Sequence, residues 1–131
     1  MSSDNANNLE ALLANVDEVI FQCRLDKKWT IDYISPAIEK LLGYSAIKFS
    51  GADGLGLLEM IHPEDRDMLK DAVANAIRKK EEVSYDYRML LESGDNTWVH
   101  ARYKPIFDDA GKPEYLVGTI QDGTSIQRVE T

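Results

Sequence analysis

Hydrophobic and polar positions change their period several times along the chain, and each change marks an element. Leu9, Leu12, Leu13 and Val16 recur at intervals of three and four, which places an apolar stripe on one face of a short helix. Residues 19–25 then read as a strand, 26–28 as a turn and 29–34 as a second strand with period-two alternation, so a β-hairpin lies near the start. Ser35 and Pro36 have the pattern of a helix N-cap followed by proline at the first helical position, and Gly43 closes the short helix 37–42. Residues 50–56 hold three glycines and read as a loop, ahead of a short apolar segment at 57–61.

Residues 63–80 carry the longest helical pattern. Met68, Leu69, Ala72, Val73, Ala76 and Ile77 share one face, the acidic Glu64, Asp65 and Asp67 occupy the first turn, and Lys79 and Lys80 complement the dipole at the end. Three strands follow, at 83–91, 97–107 and 114–121, separated by turn-forming residues at 93–96 and 108–113. These connections are too short for parallel crossovers, so the strands pair antiparallel. The pattern predicts an α+β fold: a five-stranded antiparallel sheet with helices on one face and the 9–16 helix as an N-terminal cap.

Composition narrows the class. A chain of 131 residues, 44% hydrophobic and 29% charged, suits one domain around one core. A net charge of -8 opposes phosphate backbones and anionic lipid, so neither nucleic acid nor a membrane surface is expected as a partner of this segment. The lone Cys23 cannot form an internal disulfide and fits a reducing cytoplasmic setting. Residues 1–8 are polar, lack the basic start and apolar run of a secretory signal, and are expected to be disordered. No apolar run approaches the roughly 20 residues that cross a bilayer.

Catalytic chemistry finds little support. His62 and Glu64 match half of a zinc-deaminase signature, whose other half needs two further cysteines that a chain with Cys23 alone does not have. His62 directly precedes a helix opening on Pro63, which points to a capping role. The glycines at 51, 54 and 56 match neither phosphate-loop spacing, and no Ser-His-Asp order has motif context. No enzymatic activity, metal or catalytic residue is expected.

Several short motifs then recur in a familiar order: Tyr33-Ile34-Ser35-Pro36, Leu42-Gly43-Tyr44-Ser45, His62-Pro63-Glu64-Asp65-Arg66, Tyr87-Arg88-Met89 before Ser93-Gly94-Asp95, Thr97-Trp98-Val99, and Gly118-Thr119-Ile120-Gln121-Asp122-Gly123-Thr124. Over residues 9–124 the chain resembles the PAS domains, in particular those of bacterial signalling proteins. The resemblance implies a sensor or dimerisation module acting as a homodimer. Its output lies elsewhere in the same polypeptide, often in a histidine kinase or a cyclic-dinucleotide enzyme of a two-component or related system. It also implies that residues 125–131 begin a linker helix and that Asp122 and Thr124 mark the signal exit. The apolar stripe of Leu9, Leu12, Leu13 and Val16 needs cover from a sheet face or a partner's equivalent helix, and it is assigned to dimerisation. The family usually places an apolar residue between that Asp and Thr. Here Gly123 stands instead, and it is read as softening the exit.

Cofactor-binding branches of the family fit poorly. The flavin photoreceptors carry their cysteine on a central helix, whereas Gln22-Cys23-Arg24 lies on the first predicted strand, and the haem binders place a histidine on the long helix, where residues 63–80 hold none. His100 alternates with Trp98 and Arg102, on the face opposite Val99, Ala101 and Tyr103. No cofactor is assigned, and a small organic ligand stays open. Alternation nominates Phe21, Cys23, Tyr85, Tyr87, Met89, Val99, Ala101 and Tyr103 as one inward set, lining a ligand pocket or simply filling the core. The tyrosine hydroxyls among them need buried partners, which a polar ligand or water could supply. The alternative is a ligand-free scaffold whose task is dimerisation and protein interaction.

Overall fold

The computed structural model describes residues 18–49 and 54–123. The stripe of Leu9, Leu12, Leu13 and Val16, the N-terminal cap and polar residues 1–8, Thr124 and the 125–131 linker therefore lie outside the described residues.

Period-two burial builds the sheet. Strand β1 (Val19–Arg24) buries Val19, Phe21 and Cys23 and turns the residues between them outward. It pairs antiparallel with β2 (Ile31–Ile34) on one side and with β5 (Pro113–Asp122) on the other. Strands β3 (Val83–Leu90) and β4 (Asn96–Phe107) complete an antiparallel sheet in the order β2-β1-β5-β4-β3. The central strand, β5, is the last in sequence and its neighbour β1 the first, and Val19 sits opposite Ile120. The start of β1 and the end of β5 lie side by side.

Since β2 and β3 are opposite edges, the segment between them has to cross one face of the sheet. It does so as helix α1 (Ala37–Leu42), a 3-10 turn (Ala46–Phe49), helix α2 (Leu57–Met60), a second 3-10 turn (Pro63–Asp65) and the long helix α3 (Arg66–Lys79). The apolar faces of these helices close the core: Ile38, Leu42, Leu57, Met60, Leu69 and Val73 pack with the inward residues of the sheet. Gly43 ends α1 at φ 89°, as its sequence position predicts, and its N–H donates to the Glu39 carbonyl.

Three local expectations are corrected. Ser35 does not cap α1 with its side chain. It is fully buried, its hydroxyl oxygen accepts the Ile20 N–H at 2.9 Å, and it thereby ties the helix entry to β1. Met68 falls off the buried stripe of α3 and is 40% exposed, because Leu69, Ala72, Val73 and Ala76 already fill the contact face. Trp29 belongs to the turn and not to β2: its φ is 57°, and it swings its ring inward to meet Tyr103.

Candidate functional site

The inward set nominated by alternation comes together on the helix-facing side of the sheet. Phe21, Cys23, Tyr87, Met89, Val99, Ala101 and Tyr103 are all buried in one cluster. Register explains this, since Tyr87 sits opposite Val99, Tyr85 opposite Ala101 and Tyr103 opposite Gly118, so each pair shares a face. Tyr85 shares that face but is only half-buried, packed against the edge of the core.

The aromatic residues form the polar heart of this cluster. Tyr103 packs edge-on against Phe21 with centroids 5.6 Å apart, lies 6.2 Å from Trp29 and stacks on Tyr87. The hydroxyls of Tyr87 and Tyr103 bond to each other, which satisfies at one stroke the demand that burial places on both. Burial raises both phenols well above the ordinary tyrosine range. It also pushes the Cys23 thiol up to about 12, with Asp26 and Asp32 adding to the effect, so this sulfur is a neutral, poorly nucleophilic core atom.

A second constellation is one that local sequence pattern does not reveal. Asp65 at the foot of α3 grips Arg88 of β3 three times. One carboxylate oxygen accepts the Arg88 backbone N–H at 2.9 Å and its Nε–H at 3.1 Å, while the other accepts from Nη2 at 2.8 Å. Glu64 takes a further bond from Nη2 at 3.2 Å, and the guanidinium lies over the Trp98 ring of β4 at 5.8 Å. The Arg88 side chain, bonding to Asp65, holds that carboxyl below the usual carboxylate range. His62 behaves as read: its Nδ1 accepts the Glu64 N–H at 3.1 Å and caps the turn that presents these acids. Nothing short of the folded register brings Asp65 to Arg88, although complementary charge in two separate motifs was the available signal. On the outer face His100 meets Asp86 across the strands at 2.7 Å, opposite Val99 and Ala101 as alternation predicts.

The end of β5 holds the nominated exit. Asp122 is exposed and lines a surface cleft of about 390 Å³ with Glu18, Lys40, Leu41 and Gln121, so the entering chain, helix α1 and the departing strand converge there. Gly123 corrects an expectation. It is buried, its N–H donates to the Trp98 carbonyl at 2.9 Å, and a Cβ at this position would lie 2.8 Å from the carbonyl carbon of Val99. Glycine is present here for close approach and does not loosen the strand end. Among the described residues no group of three His, Cys, Asp or Glu side chains could hold a metal ion, and no helix is long and apolar enough to cross a membrane.

Comparison with known proteins completes the picture. A methyl sulfide methyltransferase-associated sensor from Methanosarcina acetivorans is 26% identical over 128 residues, which is 97% of this chain and 13% of that protein. The chain thus spans a small part of the curated relative it matches. Among solved structures, a sensory box histidine kinase/response regulator from Burkholderia thailandensis E264 superimposes with a TM-score of 0.71 at 25% identity, covering 94% of this chain and 89% of that one. The PAS domain of a protein from Colwellia psychrerythraea gives 0.77 at 20% identity, covering 92% and 98%. The family profile described as PAS fold matches residues 31–120, more than half of the sequence, and with the five-stranded antiparallel sheet and its helical face this shows that the chain belongs to the PAS-fold family.

Proposed function

We propose that this chain is the sensory PAS module of a longer cytoplasmic signalling protein, passing the state of a ligand or partner to an output domain such as a histidine kinase or a cyclic-dinucleotide enzyme. The observation that carries the reading is the alignment of nearly the whole chain to one small part of a protein named as a sensor. A module of this kind supplies regulation and draws its chemistry from elsewhere in the polypeptide. The inward set of Phe21, Cys23, Tyr85, Tyr87, Met89, Val99, Ala101 and Tyr103 is the surface on which a small organic ligand acts, and Asp122 with Thr124 forms the exit. Leu9, Leu12, Leu13 and Val16 pack against a sheet face or a partner's equivalent helix in a homodimer. Neither flavin nor haem has the residues it uses elsewhere in the family.

One observation favours a second reading. Because Tyr87 and Tyr103 satisfy each other, the core needs no ligand to complete it, and a module closed in this way serves as a dimerising scaffold. Mass spectrometry of the purified, denatured protein separates the two. A stoichiometric small molecule supports sensing, and its consistent absence from every preparation and host removes the ligand from the proposal. A visible absorption band from flavin or haem in fresh protein overturns the cofactor assignment.

A further inference from the structure

A strained residue in a surface turn supplies part of the core. Among the described residues only Trp29 and Lys80 have positive φ without being glycine. Lys80 closes α3, where helices commonly end in that conformation. Trp29, at φ 57°, has no helix to end, and the left-handed region is unfavourable for so bulky a side chain. What the strain secures is an inward indole. The residue is 6% exposed and its ring lies 6.2 Å from that of Tyr103, although it comes from a turn whose Asp26 and Lys27 are exposed. We propose that Trp29 is a removable plug: its indole fills the place of a ligand against Tyr103, and the turn that carries it swings out to admit a neutral, planar aromatic molecule bearing a hydrogen-bond acceptor.

The turn's attachments define the moving part. The Trp29 and Lys28 carbonyls accept the Leu57 and Leu58 N–H groups at 3.0 and 3.3 Å, at the start of α2, and the Lys28 ammonium donates to the Gly54 carbonyl at 2.7 Å. Gly56 presses so closely on the turn that a Cβ there would stand 2.2 Å from the Lys28 carbonyl oxygen. A change of φ at Trp29 that withdraws the indole therefore also withdraws the carbonyls from Leu57 and Leu58. The β1–β2 register, at Phe21, Gln22 and Cys23, lies outside the turn and is kept. The vacated place selects its ligand by chemistry. Tyr103, which the indole leaves, bonds to Tyr87, and in that bond one hydroxyl donates while the other accepts, so the accepting hydroxyl retains an O–H for an acceptor atom of the ligand. Among the described residues no charged side chain is buried, and the buried hydroxyl of Ser35 is committed to Ile20, so an ion entering here would lose its hydration without a counter-charge.

This role rests on the inward set being a ligand site, and the test lets the two fail separately. Hydrogen exchange of the Leu57 and Leu58 amides and of the Trp29 indole N–H, assigned with Trp98→Phe, is followed by NMR in the 131-residue chain. Quinoline is the neutral probe and quinaldate its carboxylate counterpart. Trp29→Gly removes the plug and keeps the turn, because glycine takes a φ of 57° without strain. The amides and the indole N–H are expected to exchange at least roughly tenfold faster than the β1–β5 ladder. Quinoline should shift the indole signal together with the Tyr87 and Tyr103 amides. Trp29→Gly should bind quinoline at least about tenfold more tightly than the unmodified chain, the gap that a plug open no more than about a tenth of the time imposes. Exchange no faster than the ladder overturns the proposal, and this arm needs no variant to fold. Binding by the variant alone overturns it too, since Trp29 is then a fixed core residue, as do binding by neither chain and equal binding of quinaldate. A molecule retained through purification whose removal leaves the indole signal unmoved keeps the ligand site and overturns the plug alone.

Discussion

A buried hydroxyl needs a partner, and Tyr87 and Tyr103 meet that need with each other at the centre of the inward set. Removing one hydroxyl leaves the other buried and unpaired, at a cost of about 1–3 kcal/mol, whereas removing both exchanges a polar pair for an apolar one. We expect Tyr87→Phe and Tyr103→Phe each to destabilise the chain by that order, and the double variant to lose less than the sum. Urea denaturation in a double-mutant cycle measures the coupling. Strict additivity contradicts a mutually satisfied pair and points to separate partners, as a bound polar ligand would provide. Alternation made the membership of this cluster readable, because burial in a strand follows a period of two. It left the pairing of hydroxyls unreadable, since that depends on the β3–β4 register and on ring geometry.

Asp65 makes the same point with charge. In the sequence it is one of three acids in a helical first turn, and dipole stabilisation accounts for all of them equally. In the fold it alone takes three bonds from Arg88. Its carboxyl is held below the value of about 3.9 that an unfolded chain shows. The stability this contributes is therefore complete above the unfolded value and is lost as pH falls through the lowered folded one. Asp65→Asn should lower the melting temperature by roughly 2–8 °C near neutral pH, and the gap from wild type should close as the solution is acidified into that window. A gap that stays constant with pH shows that the ion pair is incidental to stability.

At the scale of elements, a glycine inside a strand pattern marks either a bulge or a close approach, and β5 settles which at Gly118. A Cβ there would lie 1.9 Å from the Arg102 carbonyl oxygen and 3.1 Å from the Phe21 ring, in the middle of the sheet where neither strand can yield. Gly118→Ala is expected to cost about 2–3 kcal/mol through overpacking, well beyond Gly123→Ala at the strand end. A thermal melt of the two variants checks the order, and a Gly118→Ala protein as stable as wild type shows that β5 does not sit so tightly on β4. The elements themselves were largely legible: both late hairpins, the long helix and the glycine stop of α1 fall where turn chemistry and periodicity put them. Errors came where a distant partner outbid a local rule. Ser35 has the local signature of a cap, but β1 needed an acceptor for the Ile20 N–H and took its hydroxyl. Gly123 has the signature of a hinge, and the strand it touches made it a contact.

For the whole molecule, the decisive feature is that β1 and β5 are neighbours running antiparallel, so the start of the first strand and the end of the last lie side by side. The sequence order of elements predicted an antiparallel sheet but could not order its strands, because a helical crossing of unspecified path separates β2 from β3. With the order in hand, the end of β5 acquires surroundings: Asp122 lines the cleft that also holds Glu18 from the entering chain and Lys40 and Leu41 from α1. On the proposed reading of this strand end as the signal exit, a sensor has to bias two states of it. Coupling energies of about 1–3 kcal/mol are typical of such links, a change of about 5–150-fold in the equilibrium between output states. Asp122 is exposed, and substitutions at exposed sites of this kind shift stability by within about 0.5 kcal/mol. Asp122→Ala in the longer protein is therefore expected to change basal or stimulated output activity by a factor in that range, with the isolated chain melting within a few degrees of wild type. Unchanged basal and stimulated activity in that variant places the route of the signal away from the end of β5, and a collapse of stability in the isolated chain makes Asp122 a structural residue.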